Sequence, residues 1–257
     1  MIATVASFIV CGMLAGSDTG NSHFAGYLCQ AAYALDDEMR LPAKRYVPQP
    51  GDIYMSTDRS PIIQAGHRLA LSGQPNHSGL VIAQPDGRPA ILEAGPFNGL
   101  KVEIVDLSHD LRTHAERTEK VWIRARRTPL TREQSAQLTA WAMKQNGKRF
   151  AAGRMLCQMT PFRSRGPLRT FVLGEPNGER DCYFCAELVL ESLVHVGLLS
   201  PSTTRPCATY PRDMFFDQSN NLFLSRYFTL AEGWHPPARW IDQPVSDIKS
   251  ASHTISR

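Results

Sequence analysis

Cys185 is the residue of this chain best placed to act as a nucleophile. It lies in the stretch Asp181-Cys182-Tyr183-Phe184-Cys185-Ala186-Glu187-Leu188-Val189. Cys185, Leu188, Val189, Ser192, Leu193 and Val196 recur on one face at helical spacing, and Gly197 reads as the C-terminal stop. A thiol in the first turn of a helix feels the positive end of the macrodipole, which favours its thiolate. A thiolate with a histidine base is a thiol nucleophile. His77, in Asn76-His77-Ser78-Gly79-Leu80-Val81-Ile82, stands where a strand begins and is the candidate base. Glu93 ends the run Pro89-Ala90-Ile91-Leu92, and Asp86-Gly87 between the two runs is a hairpin signal. Antiparallel pairing brings the start of one strand near the end of the next, so Glu93 can orient the imidazole and stabilise its charged form.

Cys182 and Cys185 form a Cys-x-x-Cys, which could serve redox exchange or zinc. Zinc needs a second ligand pair, and only the isolated Cys157, Cys207 and His195 are on offer. Thioredoxin-type motifs follow a strand in a βαβ unit, whereas a long loop precedes this one, so Cys182 reads as a packing residue. His195 suits the C-terminal end of its helix. His67, His109 and His114 fall in expected helices without a partner pattern. Glu187 and Glu191, one turn apart, read as an exposed helix face. The residues point to no metal and no cofactor.

The elements that must position these groups follow from periodicity and turn signals. Phe24 to Met39 reads as an amphipathic helix, and Pro42, Pro48 and Pro50 as a stiff connector. Strands are expected at Gly51–Ser56, Ser78–Ala83, Pro89–Leu92, Leu100–Val105 and Val121–Arg124. Helices are expected at Ile62–Leu71 and Leu107–Arg117, and from the capping box Thr131-Arg132-Glu133-Gln134 to a stop at Gly147. Residues 150–180 read mostly as loop, and residues 222–230 as an edge strand. Trp122 and Trp141 read as core, and the segment with Trp234 and Trp240 as a packed strap. Hairpin-linked strands ahead of the main helices indicate an α+β domain with an antiparallel sheet. The division expected is an extension over 1–50, a main domain over 51–240 and a polar tail over 241–257.

At 257 residues, with 42% hydrophobic and 20% charged residues, the chain can bury a sizeable core. A net charge of +4 without a nucleic-acid-binding motif argues against a nucleic-acid partner. Six scattered cysteines are too sparse for a small disulfide scaffold. Ile2 to Ala15 is almost wholly apolar, shorter than the roughly 20 residues of a membrane span, and similar to a signal-peptide core without its preceding basic residues. It points to export or cell-envelope association; the alternative is a buried N-terminal helix in a cytoplasmic protein.

Taken in order, Gly51-Asp52-Ile53, His77-Ser78-Gly79-Leu80-Val81, Leu92-Glu93-Ala94 and Tyr183-Phe184-Cys185-Ala186-Glu187-Leu188-Val189 resemble the YiiX and YaeF group of permuted papain-like amidases. These are relatives of the NlpC-type cell-wall hydrolases and of the lecithin–retinol acyltransferases. The resemblance covers roughly Gly51 to Asp213. It implies a circularly permuted papain-like (NlpC-type) fold, with the antiparallel sheet packed against the nucleophile helix and the histidine ahead of the cysteine. It also implies Cys185 as nucleophile, His77 as base and Glu93 as third member, acting on an amide or ester through an acyl-thioenzyme. The group often has serine after the cysteine, where this chain has Ala186. A non-catalytic binding or redox-sensing module on the same fold is the alternative. The expected partner is a small-molecule, peptide or lipid acyl compound. Arg163, Arg165 and Arg169 in the long loop could hold its carboxylate or phosphate, with Phe162, Leu168, Phe171 and Val172 for apolar contact; a solvated basic loop is the other reading.

Overall fold

The computed structural model describes residues 24–31, 43–57, 60–95, 99–117, 119–224 and 230–243. The apolar stretch 2–15 and the polar segment 244–257 lie outside the described residues. The described chain runs β1 (Tyr27–Ala31), β2 (Lys44–Arg45), β3 (Ile53–Ser56), α1 (Pro61–Leu69), β4 (His77–Ala83), β5 (Pro89–Gly95), β6 (Lys101–Asp106), α2 (Leu107–Glu116), β7 (Val121–Arg124) and α3 (Arg132–Gln145). It continues with β8 (Arg149–Phe150), α4 (Pro167–Phe171), β9 (Cys182–Tyr183), α5 (Cys185–His195), α6 (Pro211–Phe216) and β10 (Ala238–Ile241). The strands form one sheet in the order β2-β1-β10-β7-β3-β4-β5-β6-β8-β9. Its pairs are antiparallel except β8 with β9.

The sheet is covered on both faces, which makes a three-layer α+β domain. Ile53, Met55, Leu80, Ile82, Leu92 and Trp122 pack against α3 and α5, through Leu138, Trp141, Leu188, Val189 and Leu193. Tyr54, Val81, Ile91 and Ile123 pack against α2, through Leu107 and Leu111. Alternate residues of one strand thus enter different cores, the period-two consequence of the pleat. The β4–β5 hairpin turns over Asp86-Gly87, where Gly87 takes φ +83°. Thr131 caps α3 by accepting from the Gln134 N–H at 3.1 Å, and the Gln134 side chain accepts from the Thr131 N–H at 3.1 Å.

Two expected elements differ. The helix expected over 24–39 is, where described, the strand β1, paired with β10 and β2. Gly26 has φ +82°, and a Cβ there would lie 2.6 Å from the Trp240 indole, which donates to the Ala25 carbonyl. The ring seats against the backbone where a helix would place side chains. An edge strand over 222–230 is not seen in its described part: residues 222–224 form a turn, with the Phe223 N–H donating to the Asn221 side chain at 3.2 Å. The place beside β7 is taken by β10, so Trp240 and the C-terminal strap lie inside the sheet. No helix among the described residues is long and apolar enough to cross a membrane.

Candidate active site

His77 opens β4, and Glu93 lies near the end of β5. The register pairs Gly79 with Glu93, so both strands present their polar groups at the same end of the sheet. His77 Nε2 is 2.7 Å from a Glu93 carboxylate oxygen, and both residues are buried, at 7% and 4% exposure. The ring has space because the residue beside it is Gly95, where a Cβ would stand 3.3 Å from His77 Cε1. With Nε2 engaged by Glu93, Nδ1 is the nitrogen left for Cys185, which hydrogen-bonds the imidazole.

Cys185 comes from the opposite side. It is half-buried at the start of α5, the helix that packs on β4 and β5. The helix start is anchored through Glu187, fully buried, whose carboxylate accepts from the Phe184 N–H at 3.1 Å. Arg154 binds that carboxylate with two guanidinium nitrogens, one at 2.9 Å. Burial alone would raise the Cys185 thiol; the hydrogen bond and charge of His77, together with the polar groups of Ser78, hold it below its ordinary value. Burial acts to lower His77, yet the hydrogen bonds it makes to Cys185 and Glu93, together with their negative charges, raise it well above the ordinary imidazole value. The two shifts favour thiolate and imidazolium together.

Further polar groups surround this trio. On α2, Leu107, Leu111 and His114 form the buried stripe, and Asp110 sits between them, 12% exposed at its side chain. His114 Nδ1 is hydrogen-bonded to Glu119, and its Nε2 is 3.7 Å from Asp110. The His114 ring stacks on His77 with centroids 6.2 Å apart, and Tyr54 packs against both, at 5.5 Å from His114 and 6.1 Å from His77. Burial, then the charge of Glu93, pushes Asp110 up to about 6. On the α1 side, His67 packs edge-on to Tyr210 at 5.9 Å. Burial, with the charges of His77 and Arg165, pushes it down to about 4, so it is a neutral imidazole at pH 7. In the sequence, His67 and His114 fall in expected helices without a partner pattern. The one available signal was the helical spacing of Leu107, Leu111 and His114 with Asp110 four residues before the histidine.

The structure separates the three loop arginines. Arg165, at 5% exposure, pairs with Asp213 at 3.1 Å and donates to Ser219 at 2.7 Å, so it braces α6. Arg163 is exposed. Arg169, buried at 8% exposure, donates to the Phe162 carbonyl and lines a cavity of about 670 Å³ with Arg154, Val172, Arg180, Cys182 and Cys207. Cys182, not Cys185, is the thiol of the Cys-x-x-Cys pair on that cavity. Phe162 and Phe171 are exposed, at 49% and 44%. Glu187 and Glu191, read as an exposed face, are buried: Glu191 accepts from the Asn177 and Gly178 N–H groups and pairs with Arg180 at 3.1 Å. The long loop folds over that face of α5 and supplies its arginines, a tertiary event that helical spacing does not encode. Trp122 and Trp141 are core residues.

No family model matches the sequence, and no curated protein matches it. Among solved structures the chain is similar to the crystal structure of the metalloprotein YiiX from Escherichia coli O157:H7, at 20% identity and a TM-score of 0.41 over 59% of this chain and 68% of that one.

Proposed function

We propose that the protein is a thiol hydrolase of circularly permuted papain-like fold, with Cys185 as nucleophile, His77 as general base and acid, and Glu93 orienting His77. One observation carries this reading: Cys185 at a helix start hydrogen-bonds a buried imidazole whose Nε2 is held by Glu93 at 2.7 Å. A nucleophile, a base and an orienting carboxylate in series are what activation of a weak nucleophile requires. The order of the chain, base before nucleophile, supports the permuted form.

The thiolate of Cys185 attacks the carbonyl carbon of an amide or ester. The C=O π electrons move to oxygen, where the Cys185 backbone N–H, free at the helix start, donates to the oxyanion. The His77 imidazolium gives its proton to the leaving nitrogen or oxygen as the bond to carbon breaks, leaving a thioester. Water then loses a proton to His77 and attacks the thioester; collapse releases the carboxylic acid and restores the thiolate. Glu93 keeps the imidazolium favourable throughout. An acceptor alcohol or amine in place of water would make the same site an acyltransferase.

Labelling by iodoacetamide near neutral pH tests the nucleophile, and a panel of amides and esters tests the reaction. Stoichiometric alkylation of Cys185, slowed strongly by His77→Ala, with hydrolysis lost in Cys185→Ser, is expected. Sluggish labelling indifferent to His77, with no turnover of any panel member, would return the fold to a binding module.

A further inference from the structure

The geometry points to a divalent transition-metal site formed by Glu93, Asp110 and His114, on the α2 side of the sheet behind the nucleophile pair. One ligand atom from each of the three lies within 4.8 Å of the others. They come from two elements, β5 and α2, packed face to face. Two carboxylates and an imidazole are a donor set suited to zinc and its neighbours.

The second layer of groups is already in place. Glu119 holds His114 Nδ1, which orients the ring and leaves Nε2 directed at Asp110. That Nε2 faces Asp110 at 3.7 Å, beyond hydrogen-bond reach. Metal bonds of about 2.0–2.2 Å in a tetrahedron separate neighbouring ligand atoms by roughly 3.3–3.6 Å, so the His114–Asp110 pair already stands near that spacing and Glu93, within 4.8 Å of both, would draw in to complete it. The other oxygen of Asp110, Oδ2, is buried without a hydrogen-bond partner. The Tyr54 hydroxyl, on a fully buried residue, faces Asp110, Glu93 and Glu119 and, apart from Ser56 at its side, has no partner among the described residues. A buried ring nitrogen, an unpartnered carboxylate oxygen and a buried hydroxyl around one point are groups that a single cation would satisfy together. Glu93 contacts both this site and His77, so an ion here would share its carboxylate with the imidazole. Binding itself does not depend on the hydrolase reading.

The test uses the full chain carrying Cys185→Ser, stripped with chelator, which removes the thiolate of the nucleophile pair as a competing ligand. Zinc binding is measured by titration calorimetry and Co²⁺ substitution by absorption. One equivalent of zinc is expected, with a Co²⁺ spectrum free of a thiolate charge-transfer band. Asp110→Asn and His114→Gln should each weaken binding at least about ten-fold, the cost of removing one ligand or orienting group. Far-ultraviolet circular dichroism establishes that each variant is folded; Asp110→Asn, at a partly exposed position, serves if His114→Gln does not fold. Absence of stoichiometric binding, equal affinity in the folded variants, or a strong thiolate band would overturn the site.

Discussion

Glu93 and His77 meet diagonally across the β4–β5 pair: Glu93 is the cross-strand partner of Gly79, two residues beyond His77, yet its carboxylate reaches His77 Nε2 at 2.7 Å. Gly79 and Gly95 make this possible. A Cβ on Gly79 would stand 2.6 Å from Ile91 Cγ2, and a Cβ on Gly95 3.3 Å from the imidazole. Gly95→Ala should therefore tilt the ring and slow Cys185 alkylation by about ten-fold with little loss of stability. Gly79→Ala should lower stability by ~1–3 kcal/mol through overpacking. Denaturant melts beside iodoacetamide kinetics separate the two effects; an alkylation rate unchanged in Gly95→Ala would show that the ring tolerates the added methyl.

The opposed shifts of Cys185 and His77 define a pH window. The thiol lies below its ordinary 9.0 and the imidazole well above its ordinary 6.5. Alkylation of Cys185 should rise with pH on a limb below that of a free thiol. Hydrolysis should follow a bell, lost on the acid side as the thiolate is protonated and on the basic side as His77 loses the leaving-group proton. Glu93→Gln weakens support of the imidazolium, so the basic limb should move to lower pH and turnover should fall, though by less than in His77→Ala. Coincident profiles for wild type and Glu93→Gln would remove Glu93 from the site.

Cys185→Ser and His77→Ala should each reduce turnover by about 10³-fold or more, and the double variant should be hardly worse, because members of one catalytic unit are not additive. Cys182→Ala should keep most activity, since Cys182 faces the arginine-lined cavity and not His77. Loss of activity in Cys182→Ala, with Cys185→Ser still active, would reverse the assignment.

Arg165→Ala should unfold the protein more readily and leave KM for anionic and neutral substrates in the same ratio. Its partner Asp213 is fully buried, and removing one member of a buried pair leaves an uncompensated charge, a loss of about 3–5 kcal/mol. A selective rise in KM for the anionic substrate, without a change in thermal stability, would restore Arg165 to a binding role.

Asp52 makes stability depend on pH in an unusual direction. Buried at 1% exposure, it accepts from Tyr46 Oη at 2.9 Å, Gln49 N at 3.0 Å and Arg126 N at 2.7 Å. Burial outweighs these bonds and pushes it from 3.8 up to about 6. The folded state then binds the proton more readily than the unfolded state, so this residue's contribution is fully present below about pH 4 and lost as pH rises through 6, by ~3 kcal/mol. Denaturant titrations from pH 4 to 7 should show a shallower decline in Asp52→Asn than in wild type. Parallel curves would show that Asp52 is ionised without penalty.

The sequence alone carried the strands from β3 to β7, the hairpin over Asp86-Gly87, the capping box at Thr131 and the helix that begins at Cys185, because each is written in local periodicity and turn chemistry. His77 and Glu93 were legible as neighbours for the same reason: a tight hairpin fixes register, and register fixes which ends meet. What needed the tertiary structure was everything brought together by packing between distant segments. β1 is a strand because β10, more than 200 residues later, offers it an edge and Trp240 an indole. Glu187 and Glu191 are buried because Arg154 and Arg180 fold over them, and Arg165 is a brace because Asp213 lies beneath it. Asp110 and His114 reach Glu93 only because α2 crosses that face of the sheet. Periodicity reports whether a position faces inward; which charged or polar partner waits there is decided by long-range packing, and no local pattern encodes it.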